Sequence, residues 1–304
     1  MTITPRAWLD ILCLSFIWGG SFLAMRIAQD DLPVFTVVAH RIFWATLVLW
    51  AIVLLRRLPL PTSPRIWGAL LVMGFFNNVL PFCLIVWAQE TIETGLVSIL
   101  NATTAIFGVL LASLVFADER LTPRRAIGIA LGFLGCATAI GLDSLRSLDL
   151  QSLAQLAILG SSLSYAIAGA WGRKTLQGLR PEVAAAGMLA GSTLLAMPFA
   201  WLMDGPPTLK LAADTWAAIA YVSVLASGVA YLLYYRILAA AGAGNVVLCT
   251  LLVAPIAIVL GALFRNESLP PQALAGFALL ALGLLVLDGR LLRRRHRGPQ
   301  DSTP

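Results

Sequence analysis

Long apolar stretches separated by short polar connections dominate the pattern of this chain. Most stretches hold about 20 residues, the length that an α-helix needs to cross a bilayer. The connections carry charged and helix-breaking residues, as in Asp30-Asp31-Leu32-Pro33. The predicted helices lie near 7–27, 34–55, 66–87, 94–116, 124–142, 153–172, 182–203, 214–236, 244–264 and 272–292. The pattern therefore predicts an all-α polytopic membrane protein with ten transmembrane helices.

The second half of the chain repeats the first. Trp67 recurs as Trp216 and Gly95 as Gly244, each 149 positions later. At a spacing of 148 positions, Glu119, Leu121, Pro123, Gly128 and Gly135 recur as Glu267, Leu269, Pro271, Gly276 and Gly283. A unit of five helices is odd, so its second copy must enter the membrane from the opposite side. We predict two inverted five-helix repeats, 1–148 and 149–292, followed by a basic polar tail, 293–304.

The distribution of Lys and Arg predicts the orientation. With the N-terminus in the cytoplasm, 16 of the 21 basic residues fall on the inner side. The five others are Arg26, Arg41, Arg146, Lys210 and Arg265. The positive-inside rule favours both termini in the cytoplasm, and thus a multi-pass protein of a bacterial-type inner membrane. The basic tail is expected to contact anionic lipid.

Composition supports this class and narrows the partners. Hydrophobic residues make up 59% of the chain and charged residues 12%, against about 25% charged residues in soluble proteins. The net charge of +6 does not predict a nucleic-acid partner, because the basic residues lie in short loops and the tail. Only His40 and His296 are histidines, so neither a metal site nor a cofactor is predicted.

Several short motifs, taken in order, resemble one transporter family. The first helix carries Trp18-Gly19-Gly20-Ser21-Phe22, the fourth carries Ile99-Leu100-Asn101-Ala102-Thr103-Thr104, and the Glu-x-Leu-x-Pro loop occurs twice. The chain resembles the ten-helix EamA branch of the drug/metabolite transporter superfamily. The resemblance implies secondary transport by alternating access, with the site between the repeats. Ala105 stands where many relatives have a proline, whereas Pro255 is kept in the ninth helix.

Polar groups within the predicted spans are the candidates for a substrate site, because they cannot face hydrocarbon. The predicted substrate-binding residues are Trp18, Ser21, His40, Asn77, Asn78, Asn101, Ser164, Tyr165, Ser227 and Tyr231. The alternative for each hydroxyl is a bond to a carbonyl of its own helix. For Gly128-Ile-Ala-Leu-Gly132, the predicted role is close helix packing within a monomer. Oligomeric state is left open.

Arg41 and its neighbour His40 allow two interpretations. Both lie in the outer half of the second helix, and the favoured interpretation makes Arg41 an interface anchor paired with Asp30 or Asp31. The alternatives are an Arg that binds a carboxylate and a His that responds to protons.

The absence of an acidic residue in mid-membrane bears on the substrate. All 15 Asp and Glu residues lie in loops, in tails or near span ends, so a lipophilic cation would lack a counter-ion. We therefore expect export or facilitated movement of amino acids or related small metabolites. A multidrug exporter, or an exporter of nucleotide- or sugar-type metabolites, is the alternative within the superfamily. An intramembrane lipid-modifying enzyme is a remote alternative, because no catalytic motif is present.

Overall fold

The computed structural model describes residues 5–140, 150–206, 208–241 and 243–288, and these residues are helical apart from short connections. The first-half helices are α1 (Pro5–Ala28), α2 (Val34–Leu55), α3 (Pro64–Ala88), α4 (Thr94–Val115) and α5 (Pro123–Ile140). Those of the second half are α6 (Leu150–Thr175), α7 (Pro181–Asp204), α8 (Ala213–Ala241), α9 (Ala243–Arg265) and α10 (Pro271–Asp288). The predicted boundary at 148/149, residues 289–292 and the tail 293–304 lie outside the described residues.

The helices have the length and composition of membrane spans. Among the described residues, α1, α2, α3, α4, α6 and α7 are each long and apolar enough to cross a bilayer. Shorter apolar helices occur at Ala213–Val229, Leu252–Arg265 and Pro271–Leu287. Large apolar side chains such as Leu55, Leu114 and Leu202 are strongly exposed on the outside of the bundle, where lipid would cover them. The chain is therefore a multi-pass membrane protein.

Helices of one half pack on helices of the other half, and these contacts occur in equivalent pairs. Helix α1 packs on α8 and α9, and its counterpart α6 packs on α3 and α4. Helices α2 and α7, which are counterparts, pack on each other, and so do α5 and α10. Each contact thus has an equivalent in which the halves change places, as a pseudo-two-fold relation requires.

The contact between α5 and α10 depends on the repeated glycines. A methyl group added at Gly135 would overlap the backbone of Leu280, and one added at Gly283 would lie 2.7 Å from the amide nitrogen of Gly132. Gly128 faces the side chain of Leu287 at 2.6 Å in the same way. These glycines let the two helix backbones approach closely. The Gly128–Gly132 face therefore packs within the monomer, as predicted.

Polar contacts join the halves at both ends of the bundle. At one end, Asp31 accepts hydrogen bonds from the Thr215 hydroxyl at 2.5 Å and the Ala212 amide at 3.0 Å. We call this the Asp31 end. At the other, the Glu182 end, Arg56 lies 3.6 Å from Glu182. Further contacts at the Asp31 end are Asp30–Arg265, Thr36–Asp204 and Thr94–Glu267, and at the Glu182 end Asp10–Arg236 and the pairs of Arg173 with Asp118 and Glu119.

The repeated Glu-x-Leu-x-Pro loops have a structural role. Glu119 forms ion pairs with Arg125 at 2.8 Å and with Arg173 at 3.4 Å. Its counterpart Glu267 accepts a hydrogen bond from Thr94, the first residue of α4, at 2.8 Å. A carboxylate at the start of a helix is stabilised by the free amides there.

Three interruptions divide the helices that surround the centre. Helix α3 contains a π-helical turn at Phe75–Val79, and α8 contains one at Tyr221–Val229, in corresponding parts of the two repeats. Helix α4 is broken between Thr94–Asn101 and Thr104–Val115. Such interruptions free backbone carbonyls and often mark functional sites.

Candidate functional site

The two π-helical turns each receive a side-chain hydrogen bond from the opposite repeat. On α6, the Ser164 hydroxyl donates to the Phe76 carbonyl of α3 at 2.6 Å. On α1, the Trp18 indole N–H donates to the Ala226 carbonyl of α8 at 3.3 Å. Within α8, Ser227 donates to the Val222 carbonyl five residues earlier, at 2.9 Å. Three of the predicted site residues thus donate hydrogen bonds to backbone carbonyls of the π-helical turns.

A chain of polar side chains extends from the α3 turn into the second repeat. The Asn77 amide donates to the Tyr231 phenol oxygen at 3.2 Å and lies 3.3 Å from the Asn78 oxygen. Asn78, which is fully buried, donates to the Ser192 hydroxyl on α7 at 2.9 Å. The structure therefore brings Asn77, Asn78 and Tyr231 together, and their bonds join α3 to α8 and α7.

Arg41 lies beside this chain and completes a buried group of side chains. Its guanidinium stacks over the Phe82 ring, 3.8 Å from the centroid, and its Nη1 donates to the Met25 sulfur at 2.8 Å. The phenols of Tyr165 and Tyr231 are close enough to interact with it electrostatically. The Tyr165 ring in turn packs edge-on against Phe82, with centroids 6.5 Å apart. We call Arg41, Phe82, Tyr165, Tyr231 and Asn77 the Arg41 cluster.

The favoured interpretation of Arg41 as an interface anchor is wrong. Arg41 is only 6% exposed, and its proposed partners are engaged elsewhere, Asp30 by Arg265 and Asp31 by Thr215. Arg41 lies seven residues beyond Val34, the start of α2, which places it about 10 Å along the helix axis. That depth was the signal in the sequence that argued against snorkelling. Contacts with Met25 of α1 and Phe82 of α3 hold the side chain inside the protein.

Asn101 lies at the break of α4, where side-chain hydroxyls also bond to the backbone carbonyls. Thr103 donates to the Leu100 carbonyl at 2.6 Å and Thr104 to the Asn101 carbonyl at 2.7 Å. From α6, Ser162 reaches the Asn101 carbonyl at 3.4 Å. The Asn101 side-chain oxygen is buried without a hydrogen-bond partner among the described residues. That oxygen is an acceptor available to a polar solute.

The described hydrogen bonds of His40 and Ser21 are to residues outside the Arg41 cluster. The His40 Nδ1 accepts from the Trp44 indole at 3.2 Å, and the imidazole meets the Trp216 ring edge-on at a centroid distance of 6.0 Å. His40 lines a separate cavity of about 160 Å³, together with Ala39, Phe43, Trp44, Met197 and Leu209. Ser21 donates to the carbonyl of Trp18 in its own helix at 2.7 Å.

Gly19 and Gly20 have a packing role that the sequence did not predict. An added methyl group would lie 2.6 Å from the Ile256 side chain at Gly19 and would overlap the Tyr221 hydroxyl at Gly20. That hydroxyl donates to the Ile17 carbonyl at 3.1 Å, which holds α1 against α8. These glycines therefore serve helix contact rather than access to the backbone.

Comparison with known proteins agrees with the fold and the paired helices. "Uncharacterized transporter YoaV" of Bacillus subtilis is 19% identical over 95% of this chain and 99% of that protein. "Probable terminal-alkyne amino-acid exporter" of Streptantibioticus cattleyicolor is 27% identical over 100% of this chain and 99% of that protein. One crystal structure matches 96% of this chain and 99% of its own, with a TM-score of 0.68 at 18% identity, which shows a shared fold.

The family assignment follows from both halves of the chain. The model of the EamA-like transporter family matches twice, at residues 7–141 and 152–287. The two matches correspond to α1–α5 and α6–α10, and the relatives named above are transporters rather than enzymes. The chain belongs to the EamA-like transporter family.

Proposed function

We propose that this transporter moves amino acids or related small metabolites across the inner membrane by alternating access, with the substrate between the two repeats. The observation that carries the proposal is the hydrogen bond from Asn77 of α3 to Tyr231 of α8, at 3.2 Å. It joins equivalent helices of the two halves within a partly buried polar group. Buried polar residues of this kind are costly in a membrane and usually mark a substrate path.

The directions of equivalent helices support an inverted arrangement. Helix α1 starts near Asp10 at the Glu182 end, whereas α6 finishes at that end, where Arg173 meets Asp118. The two repeats thus traverse the bundle in opposite senses. Rocking of one repeat against the other would open one end and close the other. The polar contacts at the Asp31 end and the Glu182 end are the bonds that such rocking would break in turn.

We infer ten spans with both termini in the cytoplasm, which places the Asp31 end outside. The Glu182 end then carries Arg56, Arg125 and Arg173 on the cytoplasmic side, in keeping with the positive-inside rule. A reporter fused at Ser144, which lies outside the described residues, should be periplasmic. Cytoplasmic activity of that fusion would overturn the topology without touching the family assignment.

The chemistry of the site favours neutral and zwitterionic solutes. The described side chains of the Arg41 cluster offer amide, phenol and guanidinium groups and no carboxylate for a cationic drug. A relative of similar length is named as a probable terminal-alkyne amino-acid exporter, which supports amino acids as the class. The division into 1–148 and 149–292 fits the two family matches and remains part of the proposal.

Counterflow in proteoliposomes tests the function. Vesicles are loaded with unlabelled solute, and entry of the labelled solute is followed for a panel of amino acids, one terminal-alkyne amino acid, a nucleoside monophosphate, a sugar and a quaternary ammonium drug. We expect counterflow of at least one amino acid and none of the drug. Transport of the drug with no amino-acid counterflow would assign the multidrug alternative instead.

The same vesicles separate facilitated from proton-coupled movement. Counterflow is measured with and without a pH gradient, and again after the gradient is collapsed. Facilitated movement predicts equal counterflow in all three conditions. Loss of both net transport and counterflow on collapse of the gradient would show obligatory coupling to protons.

A further inference from the structure

Arg41 is the only charged residue of the Arg41 cluster, and a buried charge needs a group that compensates it. Its described contacts are a thioether sulfur and an aromatic face, and two phenols lie within electrostatic range; all of these groups are formally neutral. Its Nε is buried and has no hydrogen-bond partner among the described residues. No ion pair within 5–140, 150–206, 208–241 and 243–288 includes it. A guanidinium in a buried site is strongly stabilised by an anion that accepts from two of its N–H groups.

The neighbours of Arg41 supply the rest of an anion site. The Phe82 face lies 3.8 Å from the guanidinium carbon and covers one side of its plane, which leaves the edge of the plane for in-plane acceptors. The phenols of Tyr165 and Tyr231 interact electrostatically with Arg41, and a phenol O–H is a hydrogen-bond donor. Asn77 already holds the Tyr231 oxygen at 3.2 Å, so that phenol hydrogen is free to point elsewhere.

The charge of the cluster limits the anion. The contacts described for Arg41 include no second cation, so the site compensates one negative charge. A carboxylate carries one negative charge and two oxygens that match the guanidinium fork. A phosphate monoester would bring a second charge into a buried setting without a partner, which is costly.

We propose that Arg41 is a substrate-binding residue that holds the carboxylate of the transported solute through a two-bond ion pair. The Tyr165 and Tyr231 phenols then donate to the same carboxylate, and Phe82 keeps the guanidinium plane in place. The inference rests on the proposed transport function and narrows its substrate class to monocarboxylates, of which amino acids are the zwitterionic members. The described cluster has no carboxylate for an amino group, so the acid group is the required one.

Ligand-induced thermal stabilisation of the purified full-length protein in detergent tests this at pH 7, independently of transport. Three matched sets are titrated: leucine, threonine and phenylalanine, each with its amide and with the acid that lacks the amino group. Methyl phosphate is added as a second anion. In the wild type we expect at least one acid to bind about 10- to 100-fold more tightly than its amide, the range for a charge-assisted hydrogen bond. The acid without its amino group should keep most of that preference.

Variants separate binding from a structural role. Arg41→Gln should bring the acid-to-amide ratio to about one, and Arg41→Lys should keep part of the preference, since it keeps the charge and loses the fork. Arg65→Gln, which removes the same charge from an exposed position, should leave the ratio as in the wild type. A purely structural Arg41 would lower thermal stability in both Arg41 variants and leave the ratio unchanged.

The outcomes also separate this inference from the proposed function. Equal binding of acids and amides by the wild type, or binding of methyl phosphate alone, would overturn the carboxylate assignment even if Arg41→Gln fails to fold. Selective binding of acids without counterflow would support the assignment and count against transport of these solutes. Counterflow of amino acids with an unchanged ratio in Arg41→Gln would keep the function and reject Arg41 as its ligand.

Discussion

Two pairs of equivalent helices differ in how closely they follow the symmetry between the repeats. Helices α5 and α10 contact each other through glycines at matching positions, so Gly135 lies against Leu280 and Gly283 lies against Gly132. Helices α4 and α9 differ. The first is broken after Asn101 without any proline, and the second runs unbroken from Ala243 to Arg265 with Pro255 inside it.

The difference separates packing from chemistry. Close backbone contact needs the same small residue wherever two helices cross in the same way, so the repeated sequence produces a repeated contact. The break in α4 is stabilised instead by hydroxyls of Thr103, Thr104 and Ser162, which donate to the Leu100 and Asn101 carbonyls. The symmetric helices hold the bundle together, whereas α4 has a break with polar groups that has no counterpart in the unbroken backbone of α9.

Proline substitutions give the largest expected effect and test the break directly. At Ala105 the amide bonds only three residues back, to Ala102 at 3.3 Å, and lies in the first turn of the second α4 segment. Ala105→Pro should therefore cost about 1 kcal/mol or less, because early helix positions tolerate proline. Val109→Pro, four residues on, should cost about 3 kcal/mol or more. Equal losses in thermal unfolding would show that α4 is continuous.

Glycine substitutions test the symmetric contact. Gly135→Ala and Gly283→Ala should each destabilise the protein by about 2 kcal/mol, because the new methyl group meets backbone that cannot move aside. Gly169→Ala is the matched control, since an added methyl group there meets nothing within 4 Å. Thermal unfolding of the purified variants measures the effect. If only one of these two variants loses stability, α5 and α10 do not contribute equivalently to the contact.

The helix bounds were predictable from the sequence because hydrocarbon permits few alternatives. Helix α2 was predicted at 34–55 and observed at Val34–Leu55, and α4 was predicted at 94–116 and observed at Thr94–Val115. The π-helical turns were not predicted. A π-turn keeps the helical hydropathy pattern and adds one residue to a turn, and in α8 no proline marks it.

The sequence predicted part of the candidate site. It did not predict the direction in which each side chain points around its helix axis. Asn77, Asn78, Ser164, Tyr165 and Tyr231 were found as polar residues that cannot face lipid, and whether they bind substrate remains a prediction. Arg41 was set aside because a long side chain near a span end can reach water. Its burial depends on contacts with Met25 of α1 and Phe82 of α3, which the hydropathy pattern of α2 alone does not specify.

The bonds to the two π-turns should contribute unequally. Both bonds are partly buried, but the Ser164 bond to the Phe76 carbonyl is 2.6 Å long, whereas the Trp18 bond to the Ala226 carbonyl is 3.3 Å long. Ser164→Ala should cost about 1 to 1.5 kcal/mol, because the carbonyl is left without a partner. For Ser21→Ala, the control, we expect a smaller loss, since that hydroxyl bonds only within α1. Equal losses of thermal stability in Ser164→Ala and Ser21→Ala would show that the bond to the Phe76 carbonyl contributes no more than a bond within one helix.

The smallest expected effect lies at the Asp31 end and depends on pH. The Thr215 hydroxyl and then the Ala212 amide donate to the Asp31 carboxylate and hold its pKa below the ordinary value. A carboxyl whose pKa is lowered by folding contributes stability above its unfolded pKa, about 3.9, and loses it as the pH falls through the lower folded value. Melting temperature measured from pH 7 to pH 3 should therefore fall less steeply below about pH 4 in Asp31→Asn than in the wild type. Thr215→Val, which removes the first donor, should flatten the profile in part, and Glu90→Gln, an exposed carboxyl on the α3–α4 connection, should not. If the profiles of Asp31→Asn and the wild type coincide, the Asp31 contact contributes no stability that protonation removes. The contacts of Asp30, Thr36 and Thr94 then close this end without it.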